Sequence, residues 1–193
     1  MKTLLRPALS LLVILSIVTG IAYPLAVTLV AQSLFPMAAH GSLILRDGKP
    51  SGSRLIGQHF SDPKFFWGRP SATAGWPNNG LASGGSNQGP SNPALVDVVK
   101  QRVDALRRAD PDQQGLIPLD LVSASASGLD PDISPAAARY QAARVARRNG
   151  LAPATVLDLI YAHTRRRQLG LFGEPRVNVL ELNRAIGTAV ATQ

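Results

Sequence analysis

The hydrophobic residues of this chain are concentrated near its start. Residues 8–31 read ALSLLVILSIVTGIAYPLAVTLVA and contain no charged side chain. A helix of that length extends about 36 Å, enough to cross a hydrocarbon core of about 30 Å. The pattern therefore predicts a transmembrane helix over 8–31, preceded by a short tail of residues 1–7 and followed by a single soluble domain over 32–193.

A cleaved signal peptide is the alternative interpretation of this apolar run. Gly20 and Ala22 form a small-x-small pattern that suits cleavage, and Lys2 and Arg6 supply the preceding positive charge. A signal core usually has about 7–15 apolar residues, whereas this run continues well past Ala22. The length favours an uncleaved single-pass anchor, which Pro24 is expected to kink.

The region after the anchor predicts strands and then irregular chain. Residues 42–57, SLILRDGKPSGSRLIG, predict two short strands around Asp47-Gly48, with Pro-Ser-Gly-Ser making the loop longer than two residues. Residues 63–80 contain both tryptophans among many Gly and Pro residues. That composition predicts irregular chain fixed by aromatic packing.

Four helices are predicted in the C-terminal half, each from a capping residue or proline at its start. They run from Asn92-Pro93 to Asp110, from Ser134-Pro135 to Asn149-Gly150, from Pro153 to Arg165, and from Asn178 to Ile186, before Gly187. Four arginines in the second of these predict one solvated or salt-paired side. The fold class is therefore α+β: one N-terminal transmembrane helix, then one soluble domain with a small β-hairpin or sheet and a helical C-terminal half.

The charge is distributed unevenly along the chain. The net charge is +8, and residues 134–193 carry nine arginines against three acidic residues. Such a basic segment suits an anionic neighbour, either lipid headgroups or an acidic partner face, although solvated helix faces explain it equally well. The absence of cysteine excludes disulfides and thiolate metal sites.

Residues 83–93, SGGSNQGPSNP, raise three alternatives: a phosphate-binding loop, a flexible linker and an ordered turn. Gly84 and Gly89 have the first spacing of a Walker loop, but Pro90 occupies the position of its lysine and has no N–H. The two prolines restrict the backbone, which argues against a flexible linker. The segment is predicted to be an ordered turn that presents amide and hydroxyl groups.

A catalytic pattern is present only in a weak form. Ser61 and Lys64 match Ser-x-x-Lys, which leaves a membrane-anchored extracytoplasmic serine hydrolase as an alternative function. Pro63 lies between them, and the companion Ser-Asp-Asn and Lys-Thr-Gly motifs are missing. The three histidines have no metal-ligand spacing, so no metal site is predicted.

Several blocks of sequence, in order, closely resemble one bacterial family, the C subunit of the Kdp-type high-affinity potassium-transporting P-type ATPase. The blocks follow a single N-terminal anchor and are GSRLIGQHF (52–60), FWGRPSATA (66–74), SGGSNQGPSNP (83–93), PLDLVSASASGLDPDISPAAARYQAARVA (118–146) and LGLFGEPRVNVLELN (169–183). Any one block is weak evidence, but together they cover nearly the whole chain.

The resemblance implies an accessory, noncatalytic subunit of an ATP-driven potassium uptake pump. It implies roles in assembly and stability, and as a catalytic chaperone that raises the ATP affinity of the motor subunit through a ternary complex. The expected partners are a potassium-channel-like subunit, a P-type motor subunit and membrane lipid, with no nucleic acid. No cofactor is required on this reading.

Two sets of candidate site residues follow from the motifs and the resemblance. Helix starts attract anions, so the nucleotide candidates lie around the start of the second helix: Ser127, Gly128, Ser134 and Gln141. The partner-docking candidates come from residues 60–76, which we name the aromatic loop, and from the SGGSNQGPSNP turn: Trp67, Arg69, Ser83, Gly84, Gly85, Ser86, Asn87, Gln88 and Asn92. No residue is predicted to be catalytic.

The expected location is the bacterial inner membrane, with a single span. Lysine and arginine residues close to the anchor are equally numerous on its two sides. The positive charge of the free amino terminus then favours an orientation with the N-terminus in the cytoplasm. The resemblance likewise places the large domain outside the cytoplasm, near the potassium entrance. Because a domain outside the membrane cannot contact cytoplasmic ATP, assembly is the expected primary role.

Overall fold

The computed structural model describes residues 2–46 and 48–192, and they form two compact units that meet in sequence between Ser53 and Arg54. The first unit contains the N-terminal helix and a β-hairpin. The second contains the remaining helices and a three-stranded sheet.

The N-terminal unit begins with one long helical stretch. Helix α1 (Lys2–Ile17) continues through a π-helical turn (Val18–Ala22) into α2 (Tyr23–Leu34). The amide of Tyr23 donates to the carbonyl of Val18, five residues earlier. A π-turn here is consistent with Pro24, which has no N–H to continue the ordinary ladder. The helical structure thus extends beyond the predicted 8–31.

From Thr3 to Leu34 this stretch is 32 residues long, and none of its most apolar part is buried in the structure. By length and composition it can cross a membrane. It is the one helix of the described chain that meets both criteria.

The predicted hairpin is present but tighter than expected. A short helix, α3 (Pro36–Ala39), leads to β1 (Leu43–Arg46) and β2 (Lys49–Ser53), which pair antiparallel. The register closes at Arg46 opposite Lys49, so the prediction of a loop longer than two residues is wrong. Pro50 is accommodated by an irregularity in the pairing at Ile44 and Leu45. The predicted turn residue Asp47 lies outside the described residues.

The second unit opens with a long irregular segment, as predicted. Between Arg54 and Asn92 the described chain has turns and bends but no helix or strand. Helix α4 (Pro93–Ala109) follows, and the Asn92 side chain accepts a hydrogen bond from the Ala94 amide, which confirms the predicted cap. A 3₁₀ turn (Leu119–Leu121) then leads toward the sheet.

Helix α5 (Pro135–Asn149) has its predicted ends. Ser134 caps its first turn by accepting from the Ala137 amide, and Gly150 ends it with a φ of 69°. The expectation of one solvated arginine side is only partly correct. Arg139, Arg147 and Arg148 are exposed, but Arg144 is buried.

Two predicted helix ends are wrong. Helix α6 (Pro153–Ala162) stops before Arg165, because residues 164–165 form a strand. Helix α7 (Val179–Ala191) continues through Gly187. A Cβ at Gly187 would meet no atom within 4 Å, so the surroundings of this residue do not require the helix to end there. The predicted Asn178 cap is confirmed, since its side chain accepts from the Glu181 amide.

A small antiparallel sheet joins parts of the chain that are distant in sequence. Strand β5 (Arg176–Asn178) lies between β3 (Asp132–Ile133) and β4 (Thr164–Arg165). These strands have two or three residues each. Strands of that length are too short to be predicted from an alternating hydrophobic pattern.

One hydrophobic core supports the second unit. Its buried residues come mainly from α5, α6, α7 and the sheet, with Leu106 from α4, Leu121 from the 3₁₀ turn and Phe66 from the irregular segment. The fully buried members include Phe66, Val145, Val156, Val177, Leu182 and Ile186. The core therefore fixes the aromatic loop against α5 and α7.

Candidate functional site

Two buried amide side chains hold the backbone of the aromatic loop. Gln141 Oε1 accepts from the Trp67 amide at 2.8 Å, and its Nε2 donates to the Trp67 carbonyl at 3.1 Å. Asn183 repeats the pattern one residue earlier: its Oδ1 accepts from the Phe66 amide at 2.8 Å, and its Nδ2 donates to the Phe66 carbonyl at 3.0 Å. Helices α5 and α7 thus satisfy four backbone groups that burial would otherwise leave unpaired.

Arg144 extends this arrangement one turn further along α5. Its guanidinium donates to the carbonyls of Pro63 and Phe65 and, at 2.7 Å, to Gln141 Oε1, and it lies 4.7 Å from the centre of the Trp67 ring. In the described chain no carboxylate pairs with it directly, and burial lowers its pKa to about 10. At neutral pH it remains a cation and neutralises carbonyl dipoles.

A second set of loops crosses this region, and we name residues 67–79, 83–85 and 124–130 the loop cluster. Arg69 forms an ion pair of 3.0 Å with Asp130 and donates to the Ala124 carbonyl at 3.3 Å. The Ser125 amide donates to the Pro70 carbonyl at 2.9 Å. These contacts join segments more than 50 residues apart in sequence.

The SGGSNQGPSNP turn belongs to the same cluster. Ser83 Oγ and the Gly84 amide both donate to the Ser127 carbonyl, at 3.0 and 2.9 Å. Gly85 passes so close to Ala126 that a Cβ would lie 2.8 Å from that carbonyl oxygen. The first residues of the segment are therefore held in place, but they form no turn, and their hydroxyl and amide groups are bonded within the chain rather than presented.

Gly128 is the most tightly enclosed point of the loop cluster. Its φ is 68°, and a Cβ there would meet Thr73 at 2.5 Å and the Gly84 carbonyl oxygen at 2.7 Å. Asn78 donates to its carbonyl at 3.2 Å. Both the conformation and the space thus require glycine.

The structure separates the four nucleotide candidates. Ser127 and Gly128 lie in the loop cluster, beside the turn at Ser83 and Gly84. Ser134 caps α5, and its amide donates to Asp120 at 2.7 Å. Gln141 is 1% exposed and has both ends of its amide occupied by Trp67 and neighbouring groups.

The docking candidates divide into structural and exposed residues. Trp67 and Arg69 are half-buried and hold the loops described above. Ser86 and Asn87 are exposed, Asn87 with a φ of 51°, while Gln88 is half-buried. Asn92 caps α4. The cluster also presents Trp76, which lies within the predicted docking loop 60–76 but is not one of its named candidates, and which is 58% exposed.

A cleft of about 470 Å³ opens beside the loop cluster, and its lining includes Phe60, Ser61, Trp67 and Arg102. Arg102 donates to the Val122 carbonyl at 2.8 Å, and desolvation lowers its pKa. Lys64, the partner that a Ser-x-x-Lys mechanism would need, lies 3.2 Å from the Asp62 carboxylate. The Lys64 ammonium thus contacts a carboxylate, and among the described residues it forms no hydrogen bond to Ser61.

The sequence did not predict that Asn183 holds the aromatic loop, nor that Arg144 is buried and binds carbonyl groups of that loop. Asn183 follows Leu182 on α7 and lies among its buried residues. An amide at an inward position of an apolar helix face is a usable signal, because a buried polar group needs a partner. Its partner, the Phe66 backbone, is 117 residues away and cannot be read from the pattern.

A family model described as "K+-transporting ATPase, c chain" matches residues 5–188. The chain is 65% identical over 186 residues to the potassium-transporting ATPase KdpC subunit of Dechloromonas aromatica, covering 96% of this chain and 97% of that one. It is 61% identical over 193 residues to the protein of the same name from Variovorax paradoxus, covering 100% of both.

These similarities extend over the N-terminal helix, the loop cluster and the C-terminal helices alike. They agree with the apolar helix from Thr3 to Leu34, which indicates a membrane-associated protein. The chain belongs to the family of the C chain of the K⁺-transporting ATPase and is an accessory subunit of a potassium pump.

Proposed function

We propose that this subunit is noncatalytic and that it assembles and stabilises the pump by docking its second unit on the potassium-conducting subunit. The observation that carries the proposal is the pair Trp76 and Leu81, which are 58% and 93% exposed on backbone that is itself held in place. The Trp76 carbonyl accepts from Thr73 Oγ1 at 2.7 Å, and the Leu81 amide donates to Asn79 Oδ1 at 3.0 Å.

Apolar side chains on an ordered loop suit a protein interface. A preorganised loop loses little conformational entropy on binding, so more of the contact energy appears as affinity. Exposed aromatic residues are also among those that contribute most at interfaces. Ser86 and Asn87, exposed nearby in sequence, would form the polar rim of the same surface.

The N-terminal helix supplies the second part of the proposal. Its apolar surface from Thr3 to Leu34 is unburied within the chain. We propose that it spans the bacterial inner membrane and packs against helices of the partner subunits, with the motor subunit carrying the catalytic site.

Docking through the surface formed by Trp76 and Leu81 is tested by co-purification. The full-length chain is co-expressed with a tagged potassium-conducting subunit, and recovery is compared with that of a Trp76→Ala/Leu81→Ser double variant. Recovery is expected to fall at least about tenfold, since a hot-spot residue contributes roughly 2 kcal/mol or more. Leu116→Ser is the matched control, because Leu116 is as exposed as Leu81 and lies outside residues 67–88, which contain the proposed surface. Undiminished recovery of the double variant would refute docking through this surface.

We propose that Gln141 and Ser134 serve the fold, since their side chains already hold Trp67 and the start of α5. An increase in the ATP affinity of the motor subunit would then act through a ternary complex. Equilibrium binding of a fluorescent ATP analogue to the isolated full-length chain is expected to be undetectable, and saturable binding would overturn this.

The side of the membrane is tested with a reporter fused after Gln193 that is active on only one side. We propose an extracytoplasmic second unit, so a periplasmic reporter is expected to be active. Activity of a cytoplasmic reporter instead would refute this placement and would bring cytoplasmic ATP within reach of the chain.

A further inference from the structure

The turn between β4 and β5 carries apolar side chains that the described chain does not cover. Gln168 and Phe172 pair through two backbone hydrogen bonds, each 2.9 Å long, and residues 168–172 form what we name the hairpin tip. Leu169, Leu171 and Phe172 are all exposed there, Leu169 to 93%.

The conformation of Leu169 strengthens this observation. Its φ is 53°, in the left-handed region that leucine seldom adopts, and Gly170 follows with a φ of 72°. A leucine at this position favours neither the turn nor the core of the chain. Together with Leu171 and Phe172 it forms an apolar group that an environment outside the described chain could cover.

Unpaired cations border the hairpin tip. Arg139, Arg166 and Tyr161 line an open cleft that also reaches Gly170. Arg166 donates to Tyr161 Oη at 3.2 Å. In the part of the chain that the structure describes, neither Arg139 nor Arg166 has a carboxylate within ion-pair distance. Arg167, by contrast, is paired with Glu174 at 2.6 Å.

We propose that the hairpin tip inserts into the headgroup region of an anionic bilayer, as a second membrane contact in addition to the N-terminal helix. Leucine and phenylalanine bordered by tyrosine and unpaired arginines are typical of segments at a membrane interface. The two arginines complement anionic headgroups, and the chain is already membrane-associated. A protein partner would have to supply carboxylates of its own at the same place.

The test uses the absence of cysteine from the chain. Full-length Leu169→Cys and, as matched control, Leu116→Cys are labelled with one environment-sensitive fluorophore and reconstituted in nanodiscs. Both leucines are almost fully exposed, so neither replacement removes core packing. The discs contain phosphatidylcholine alone or with phosphatidylglycerol, plus a lipid spin-labelled just below the headgroup.

The label at position 169 is expected to be quenched at least about twofold more than the label at position 116 in discs with phosphatidylglycerol. The excess should fall in Arg139→Gln/Arg166→Gln and at high salt, because screening weakens the attraction to anionic lipid. Equal quenching at the two positions would overturn the proposal. So would a label at position 169 that becomes shielded only when the other pump subunits are present, since the tip would then dock on protein.

Discussion

The side chain of Gln141 pairs with the backbone of Trp67 as a neighbouring strand would, accepting at 2.8 Å and donating at 3.1 Å. The two residues are 74 positions apart. Because the loop around Trp67 has no strand partner, this amide and that of Asn183 supply the hydrogen bonds that a sheet would otherwise provide. The loop cluster is consequently held from the core side.

Removal of this contact should destabilise the second unit. Gln141→Ala leaves two part-buried backbone groups of Trp67 and one buried donor of Arg144 without partners, so the free energy of unfolding is expected to fall by about 2–4 kcal/mol. Denaturant unfolding of the detergent-solubilised full chain, followed by tryptophan fluorescence, measures it. Gln101→Ala, an exposed position on α4, is the matched control and should change stability by less than about 0.5 kcal/mol.

Asn183→Ala should have a similar effect through Phe66. Phe66 is fully buried, so its two released backbone groups gain no contact with water. The expected loss in the free energy of unfolding is again about 2–4 kcal/mol. The same denaturant titration checks it, and a loss below about 1 kcal/mol would show that water or a rearranged loop replaces the amide.

Gly128 and Gly150 form a natural pair for testing the loop cluster. Both have a positive φ, 68° and 69°, but only Gly128 is crowded; the space around Gly150 is open. Alanine at position 150 should cost about 1 kcal/mol for the backbone conformation alone. Gly128→Ala should cost clearly more and should also reduce co-purification with the potassium-conducting subunit. Equal losses in the two thermal or denaturant unfolding midpoints would contradict the close packing.

Asp132 should give the folding free energy a defined pH dependence. Desolvation raises the pKa of its carboxyl above 3.8 despite Arg176, which is 3.0 Å away. The folded state therefore binds this proton more tightly than the unfolded state, and the resulting stability is lost as the pH rises through the folded pKa. Asp132→Asn should become more stable relative to the wild type between about pH 3 and pH 6. Unfolding free energies measured across that range check the slope, with exposed Asp158→Asn as the control for loss of a charge.

Ser61→Ala should leave the subunit fully functional. Ser61 lines the cleft beside the loop cluster, but Lys64 is paired with Asp62 at 3.2 Å. Potassium-dependent growth and pump assembly in a strain that carries only the variant are the measurements, with the unmodified chain as reference. Loss of function with normal folding and assembly would revive the hydrolase alternative.

The sequence predicted those parts of the site whose interactions are local. The Asn92 and Ser134 caps act within three residues of their own positions, and the order of the 83–93 turn was apparent from its prolines. The pairing of Ser83 and Gly84 with Ser127 could not be predicted in the same way, since it depends on how two long loops close. The sequence predicted Trp76 as part of the irregular aromatic loop. The exposure of its side chain could not be predicted, because exposure is a property of the folded chain.

By itself the sequence determined the apolar N-terminal helix, the starts of the soluble helices and the family, because each depends on composition or on residues close together along the chain. The tertiary structure decided that the helix beginning at Pro153 ends at Ala162, that α7 continues through Gly187, and that Arg144 is buried. In each case a distant partner outweighs the local preference: β5 pairs with residues 164–165, core packing holds α7, and carbonyls of the aromatic loop surround the Arg144 guanidinium.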